Sequence, residues 1–426
     1  MLLITVLTFL ALMTLSMPIV FSLGAAAVVG LWTSGYPLQT IASTAIGSSQ
    51  SWVLLAVPSF IFAGLLMERC GLAGALVDLA RATVGWLRGG LGMSVIMTSY
   101  FFSDICGSIM AEVSTISSTM MTPLKRAGYR AEHAASLIAS GCAMGMLVPP
   151  CIFMIVLASI TNTSAVALFL AGFLPAAMIA FCLCVVVFIQ AHILGWPKDT
   201  RPSFSALVRA LRASAVALVI PLLLVFGFYF GVFTTTEAGA VVALYAIAVA
   251  RFWYRNVTWR EIFEIACETG VLTAAVIFLI AIASTFQYIL GVAGASRAVA
   301  ELFIPLQSMP WLFLIVMAIA TMLLGMILEG LPASVVLVPV IFPIATKMGI
   351  HPIHFNIVQT AAVGIGLFLP PLGIGLLVAL RFAKVSVFQH AAFYWPYVGA
   401  LLLGLLIIIF VPELSLVLPR SAGLIR

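Results

Sequence analysis

The chain is organised as a succession of long apolar segments separated by short polar stretches. Apolar segments of about 20 residues are long enough to cross a lipid bilayer, and we expect them to be helical because barrel strands would alternate in polarity. The predicted membrane elements are 1–33 (interrupted at Pro18), 50–68, 91–122, 132–160, 164–194, 214–232, 236–254, 270–291, 310–345, 354–380 and 388–412. The pattern therefore predicts an all-α polytopic membrane protein.

Composition supports the same class. Of 426 residues, 64% are hydrophobic and 8% are charged, which lies far from the averages of soluble domains. The net charge of +6 comes from Lys and Arg in short loops, so it indicates topology and not a nucleic-acid partner. The seven cysteines lie mostly in apolar runs without a CxxC pair, and we interpret them as core residues. The first basic residue is Arg69, which argues against a cleaved signal peptide and favours an external N-terminus.

The basic segments constrain the topology. They fall at 81–88, 125–130, 198–212, 251–260 and 381–384. If all of them face the cytoplasm, an even number of crossings must separate each from the next. This condition is met only if 91–122 is a re-entrant hairpin from the cytoplasmic side and 310–345 a second hairpin from the outside. Two hairpins that enter the membrane from opposite sides are typical of an inverted-topology repeat.

An internal repeat is also visible in the residues. The run GCAMGMLVPP at 141–150 has a counterpart, AVGIGLFLPP, at 362–371. One constant offset of 221 positions aligns Gly128 with Gly349, His133 with His354, Gly145 with Gly366 and both Pro-Pro pairs. We therefore predict an N-terminal repeat at 1–200 and a C-terminal repeat at 201–426, joined near a polar linker at 195–212.

Each Pro-Pro pair predicts a broken helix. Proline has no backbone N–H and its ring crowds the preceding turn. The helices at 132–160 and 354–380 should therefore break, and the carbonyls of Gly145 and Met146, and of Gly366 and Leu367, should lose their helical partners. Bare carbonyls at membrane depth are costly unless they line a cavity or bind something. Two such breaks, one in each half, indicate the binding site of a secondary transporter.

Polar residues cluster where the hairpins should turn, and they predict two Na⁺ sites because hard cations prefer oxygen ligands. The first site would combine Ser103, Asp104, Gly107 and Ser108 with carbonyls of Gly145, Val148 and Pro150. The second would combine Gly325 and Glu329 with carbonyls of Gly366 and Leu369. An anionic substrate between them would face the helix N-termini that follow the breaks. The predicted substrate contacts are Ser108, Glu112, Pro149, Pro332, Pro370, Pro371 and Arg381.

Other roles are open for several of these groups. Asp104 and Glu112 could cap hairpin helices or pair with nearby basic residues, and a protonated Glu329 could carry H⁺. Arg381 could lie at the inner membrane interface. His351 and His354 have metal-ligand spacing but no third ligand nearby, so they could instead have a loop or core role. Glu237 would cap a helix whose N-cap is a threonine.

At this point the residues resemble a known family. The run SDICGSIMAEVSTISSTMMTPLKRAGY is similar to the GSAVADAAAIG…P…GY signature of the large membrane subunit (DctM-like) of TRAP transporters. The segments GMLVPPCIFMIVLASITNTSAVALFLAGFLPA, GVFTTTEAGAVVALYA and IHPIHFNIVQTAAVGIGLFLPPLGIGL resemble further blocks of that family, in the family's order, from about residue 55 to 390.

The resemblance implies an elevator-type secondary transporter of the bacterial inner membrane, driven by Na⁺ and without a further cofactor. A periplasmic solute-binding protein would deliver the cargo, a carboxylate such as a C4-dicarboxylate, a sugar acid or sialic acid. A small four-helix membrane subunit (DctQ-like) would complete the complex, and we expect no fused copy of it in this chain. The tip of the first hairpin departs from the family pattern at Cys106, Ile109 and Met110. Glu112 and Glu329 stand at or near positions where the family has Asp.

We therefore predict inverted repeats with two re-entrant hairpins and two Pro-Pro-broken helices, in an elevator-type ion-transporter fold. The predicted function is Na⁺-coupled carboxylate uptake. A close alternative is a stand-alone dicarboxylate carrier coupled to Na⁺ or H⁺, which would not need a binding protein. A remote alternative is an intramembrane enzyme using Asp104 and Glu112 with Mg²⁺, which would need a concentrated acidic motif facing the cytoplasm.

Overall fold

A computed structural model describes residues 1–102, 109–198, 203–303 and 309–425. Every regular element in these ranges is helical. The first ten α-helices are α1 Leu2–Thr14, α2 Ile19–Ser34, α3 Gln39–Ser49, α4 Ala56–Arg69, α5 Ala73–Val84, α6 Gly90–Phe102, α7 Ile109–Arg126, α8 Ala131–Ala143, α9 Ile152–Thr161 and α10 Ala165–Ile193. The others are α11 Phe204–Tyr229, α12 Thr235–Ala248, α13 Trp259–Val292, α14 Ala295–Leu302, α15 Pro310–Leu328, α16 Gly330–Lys347, α17 Pro352–Gly366, α18 Ile374–Ala383, α19 Val387–Phe410 and α20 Glu413–Ser421.

The all-helical membrane class is confirmed. Within the described ranges, nine helical segments are long and apolar enough to cross a membrane. The predicted interruption at Pro18 is present, because α1 ends at Thr14 and Pro18 is the N-cap of α2. The chain also forms helices that the apolar pattern did not indicate, namely α3, α5, α14 and α20. These helices are short, so they carry too few apolar residues to register as membrane elements.

Several long helices begin at a side-chain cap. The hydroxyls of Ser164, Ser203 and Ser386 accept backbone N–H groups in the first turns of α10, α11 and α19. At the start of α12, the Glu237 carboxylate accepts from the Thr234 N–H at 2.8 Å, while the Thr234 hydroxyl accepts from the Glu237 N–H. The predicted capping role of Glu237 is therefore confirmed, and such caps stabilise a helix by about 1 kcal/mol.

The two repeats have matching element bounds. The helices α7 and α16 end at Arg126 and Lys347, which lie 221 positions apart. Gly128 and Gly349, at the same offset, have positive φ angles of 86° and 78°, a conformation that favours glycine. After the breaks the offset becomes 222, as the N-caps Ser164 and Ser386 show. The second break thus holds one additional residue.

Packing interlocks the repeats. The first helix of each hairpin packs on the first half of its own broken helix, α6 on α8 and α15 on α17. The second hairpin helix also packs on the second half of the other repeat's broken helix, α7 on α18 and α16 on α9. We call α6–α9 with α15–α18 the central body. Five helices that pack on one another, α2, α3, α4, α12 and α13, are called the peripheral helices.

The two broken helices cross at repeat-equivalent residues. A Cβ added to Gly364 would lie 2.5 Å from the carbonyl oxygen of Ala143, and these two residues are 221 positions apart. A residue that contacts the equivalent residue of the other repeat lies on the pseudo-twofold axis that relates the two repeats. The crossing therefore marks the axis that relates the two repeats.

Candidate functional site

Both predicted helix breaks are present. The helix α8 ends at Ala143, residues Gly145–Leu147 form a single 3₁₀ turn, and α9 begins at Ile152. In the second repeat, α17 ends at Gly366 and α18 begins at Ile374. The Pro149–Pro150 and Pro370–Pro371 peptide bonds are both cis. The repeats therefore share the conformation of their breaks as well as the sequence.

The expectation that the break leaves bare carbonyls is wrong at several positions. The Gly145 carbonyl accepts from the Val148 N–H at 2.9 Å, and the Gly366 carbonyl accepts from the Leu369 N–H at 3.1 Å. The reason is that the chain tightens into i→i+3 bonds before each proline pair. Likewise the Leu367 carbonyl accepts from the Gly375 N–H, and the Leu369 carbonyl accepts from the Gly373 N–H. A carbonyl oxygen has a second lone pair, so cation binding at these atoms stays a prediction.

A cavity of about 580 Å³ lies between the hairpins, the breaks and the peripheral helices α4 and α13. The central body supplies the lining residues Ile109, Met110, Ala111, Met146, Ile152, Phe153, Glu329, Gly330, Leu331, Leu367, Ile374 and Gly375. The peripheral helices supply Ile61, Leu65, Glu68, Glu268, Leu272, Ala275 and Val276. Both hairpins and both breaks thus contribute to one partly open cavity.

Three helix N-termini meet at this cavity. Its wall includes the first residues of α9, α16 and α18, namely Ile152, Gly330 and Ile374, together with Ile109, the first described residue of α7. The helices α9, α16 and α18 begin without a side-chain cap, unlike α10 or α19. The first N–H groups of a helix have no intrahelical partner, although in α18 the Gly375 N–H donates to the Leu367 carbonyl, and the helix dipoles place partial positive charge at the cavity. Such an arrangement suits an anion.

The carboxylates of Glu68, Glu268 and Glu329 also line the cavity. Glu68, on α4, accepts a hydrogen bond from the Thr115 hydroxyl on α7. Glu268, on α13, lies 4.0 Å from the Arg69 guanidinium. The sequence reasoning did not identify Glu68 or Glu268, although both lie at or beside the ends of predicted apolar segments, where a charge is a usable signal.

The second hairpin turns at Glu329, between α15 and α16. Its φ and ψ angles are 67° and 165°, a region of backbone space that is essentially restricted to glycine. The turn lies against the break, because a Cβ on Gly330 would approach the Val363 side chain to 2.6 Å and a Cβ on Gly366 would lie 2.5 Å from the Met322 carbonyl. The predicted contact between this tip and its own broken helix is therefore confirmed.

The structure places the remaining predicted residues as follows. Ser103, Asp104, Gly107 and Ser108 lie outside the described residues. Glu112 is 1% exposed in the first turn of α7, and Gly325 and Pro332 are buried within the second hairpin. Pro149 and Pro150 are buried, whereas Pro370 is half-buried and Pro371 is exposed.

Arg381 lies in the exposed last turn of α18, away from the described lining of the cavity. The neighbouring Ala383 carbonyl accepts from the Lys125 ammonium at 3.2 Å, so this end of α18 is surrounded by basic residues. The predicted substrate contact of Arg381 stays a prediction, and its position is compatible with the interfacial alternative.

The two histidines with metal-ligand spacing have structural surroundings. His351 caps α17 by accepting from the Ile353 N–H at 3.2 Å, and the Nδ1 atom of His354 lies 3.3 Å from the Ser415 hydroxyl. Burial, and then the nearby Arg420 guanidinium, lower the pKa of His351 below its usual value. Among the described residues, no three side chains of the metal-ligating types come together.

Comparison with known proteins identifies the family. Residues 6–414 match the family described as "Tripartite ATP-independent periplasmic transporter, DctM component". A C4-dicarboxylate TRAP transporter large permease protein, DctM of Pseudomonas aeruginosa, is 33% identical over 91% of each chain. The isethionate TRAP transporter permease protein DctMQ of Oleidesulfovibrio alaskensis is 29% identical over 95% of this chain and 64% of its own.

The fold has a solved counterpart. The YdaH transporter of Alcanivorax borkumensis, reported to have an unusual topology, superimposes with a TM-score of 0.59 over 87% of each chain at 16% identity, which shows a shared fold alone. The chain therefore belongs to the DctM family, as the large membrane subunit of a TRAP transporter, a multi-pass inner-membrane protein that is a transport subunit and not an enzyme.

Proposed function

We propose that this subunit imports a small carboxylate together with Na⁺. The observation that carries the proposal is the cavity between the two breaks, which is lined by the N-termini of α9, α16 and α18. Backbone N–H groups and helix dipoles stabilise a carboxylate without a cationic side chain. The lining acids Glu68, Glu268 and Glu329 make a bound anion unfavourable unless cations enter with it, and this supports coupling to Na⁺.

The proposed Na⁺ sites lie beside the substrate, one at each hairpin tip. The Gly366 carbonyl lies in the packed region that the second tip approaches, and the Gly145 carbonyl is its equivalent in the first repeat. Sodium bound there would tie the tip to its broken helix and so complete the anion site. Binding of Na⁺ before substrate follows from this order of assembly.

The proposed motion is a sliding of the central body against the peripheral helices. The cavity lies between these two groups, and its peripheral wall is mostly apolar, with Leu65, Leu272 and Val276. Few directional contacts cross this boundary; one of them joins the Gln287 amide of α13 to the Val335 carbonyl of α16 at 2.7 Å. A smooth apolar interface favours rigid-body movement, because sliding exchanges one apolar contact for another.

We further propose that the chain works with a small membrane subunit and a periplasmic binding protein. The DctMQ relative extends well beyond the length that this chain matches, and its name joins the two membrane components. The proposal assigns the role of the remaining part of that relative to a small membrane subunit that works with this chain.

Uptake in proteoliposomes tests the proposal. Liposomes would contain this subunit with its small partner, and the binding protein loaded with carboxylate would be supplied outside, with and without an inward Na⁺ gradient. We expect uptake that requires both the gradient and the binding protein. Equal uptake with a proton gradient alone would favour H⁺ coupling through Glu329, and uptake without a binding protein would favour the stand-alone carrier.

A matched pair of glycine variants serves as the control. A Cβ on Gly366 would lie 2.5 Å from the Met322 carbonyl, whereas a Cβ on Gly399 in α19 would meet no atom within 4 Å. Gly366→Ala should lower uptake at least tenfold at normal expression, and Gly399→Ala should leave it unchanged. Equal activities of the two variants would contradict the placement of the site at the break.

A further inference from the structure

The cavity wall is more apolar than the capture of a carboxylate requires. Apart from three glutamates and two glycines, every described lining residue has an apolar side chain. Ile109 and Met110 come from the start of α7, Met146 and Leu367 from the breaks, and Leu331 from the start of α16. A site of this composition binds apolar surface by removing it from water.

The described part of the wall offers no cationic side chain for a second negative charge. Its described residues include no Lys, Arg or His, and the tip sequence between α6 and α7, SDICGS, contains none either. Arg69, near the rim, lies 4.0 Å from the Glu268 carboxylate, which already balances its charge. A second carboxylate would instead face Glu68, Glu268 or Glu329, and like charges repel.

The wall also offers few partners for hydroxyl groups. No Ser, Thr, Asn, Gln, Tyr or Trp side chain lies among the described lining residues, although the tip sequence supplies Ser103 and Ser108. On this surface the described side-chain partners for the hydroxyl groups of a polyhydroxylated acid are the three glutamate carboxylates alone. Burial of an unpaired hydroxyl is unfavourable, so this wall selects against sugar acids.

We propose that the substrate is a monocarboxylate with an apolar body and no second charge. This inference rests on the proposed function. The carboxylate lies at the N-termini of the helices that surround the breaks, and the apolar body packs on Ile109, Met110 and Leu331. The bulky residues Ile109 and Met110 of α7 thus set specificity.

The test measures ligand binding to the purified membrane complex, which separates this cavity from the selectivity of the binding protein. Thermal stability is recorded in NaCl and in choline chloride across concentrations of straight-chain and branched monocarboxylates, dicarboxylates of equal length and a sugar acid. Concentration-dependent stabilisation gives the dissociation constant. We expect Na⁺-dependent stabilisation by monocarboxylates, with affinity rising about fourfold for each added methylene until the cavity is full.

A charge introduced into the wall should redirect specificity. Met110 is 46% exposed near the start of α7, and Met309, before α15 and outside the lining, is 43% exposed. Met110→Arg should improve the affinity for a dicarboxylate about tenfold and weaken that for the longer monocarboxylates. Met309→Arg should change neither affinity.

The outcomes separate this inference from the proposed function. Tighter Na⁺-dependent binding of dicarboxylates or sugar acids than of apolar monocarboxylates would overturn the inference and leave carboxylate symport intact. An affinity for monocarboxylates that does not change with their chain length would also overturn the inference, and so would equal effects of the two arginine variants. If no carboxylate of any kind stabilises the complex in Na⁺, the proposed function fails as well.

Discussion

At the residue scale, Glu329 has the most unusual backbone among the described charged residues. It turns the second hairpin, lines the cavity and occupies a region of φ and ψ that only glycine adopts without strain. A glutamate at such a position costs about 1–3 kcal/mol of stability. The role of this carboxylate in ion binding stays a prediction, which substitution at this position can test.

Replacement of Glu329 should therefore separate stability from function. Glu329→Gly should raise the free energy of unfolding by about 1 kcal/mol, because the strain is released, while Na⁺-driven uptake falls at least tenfold. Glu329→Gln should keep the strain and lose the same uptake. Thermal unfolding in detergent and uptake in proteoliposomes measure the two quantities.

Lys384 supplies the control for this pair. It has a left-handed backbone, with φ of 60°, at the C-terminal end of α18 outside the cavity. Lys384→Gly should also be stabilising, because glycine is favoured at this position, with uptake unchanged. Normal uptake by both Glu329 variants would exclude this carboxylate as a ligand.

At the element scale, the crossing of the two broken helices joins the repeats. The α17 helix approaches the end of α8 so closely that Gly364 has no room for a side chain beside the Ala143 carbonyl. A backbone oxygen cannot rotate away as a flexible side chain would. The helices must therefore keep this separation for the breaks to face one cavity.

Gly364→Ala should force the crossing apart. We expect a loss of about 1–3 kcal/mol in unfolding free energy, the usual cost of overpacking a close contact. The same substitution at Gly399, which has open space, should be neutral or slightly stabilising because alanine favours the helix. Equal melting temperatures of the two variants would show that the crossing tolerates a methyl group.

At the scale of the whole molecule, the two repeats are equivalent in sequence but not in environment. The first break is buried at both prolines, whereas Pro371 and Leu372 of the second break are exposed. A pseudo-symmetric transporter in one end state has this asymmetry, because one repeat's break is accessible while the other is covered. The elevator proposal requires that the central body move relative to the peripheral helices.

A covalent link between the two groups should stop transport. In a background whose native cysteines are replaced, Glu68→Cys and Thr115→Cys would place thiols on α4 and α7, where the native side chains are hydrogen-bonded. A short bifunctional thiol reagent should abolish uptake in this double variant, because the link holds the central body in place. Uptake is measured before and after the reagent.

The control link lies within the peripheral helices. The hydroxyls of Thr44 on α3 and Thr285 on α13 lie 2.8 Å apart. Thr44→Cys with Thr285→Cys should cross-link equally well and leave uptake intact, because neither helix belongs to the central body. Undiminished uptake in the linked Glu68–Thr115 variant would contradict the sliding motion.

The class, the repeats and the breaks were predictable because each depends on local chemistry. The length of an apolar run determines whether it crosses a bilayer, and a proline pair interrupts a helix whatever surrounds it. The Thr234–Glu237 cap is local for the same reason, since both partners lie within one turn. The second hairpin followed from charge counting, and its tip meets the break as expected.

The cavity could not be predicted in this way, because it depends on contacts between residues far apart in the chain. Glu68 and Glu268 are separated by 200 positions, and nothing near either residue indicates that they line one wall. The bonds that occupy the Gly145 and Gly366 carbonyls are local, so that error came instead from overlooking a tight i→i+3 turn before the prolines. Local pattern thus specifies which elements form and where they break, whereas packing between distant segments decides which atoms face the substrate.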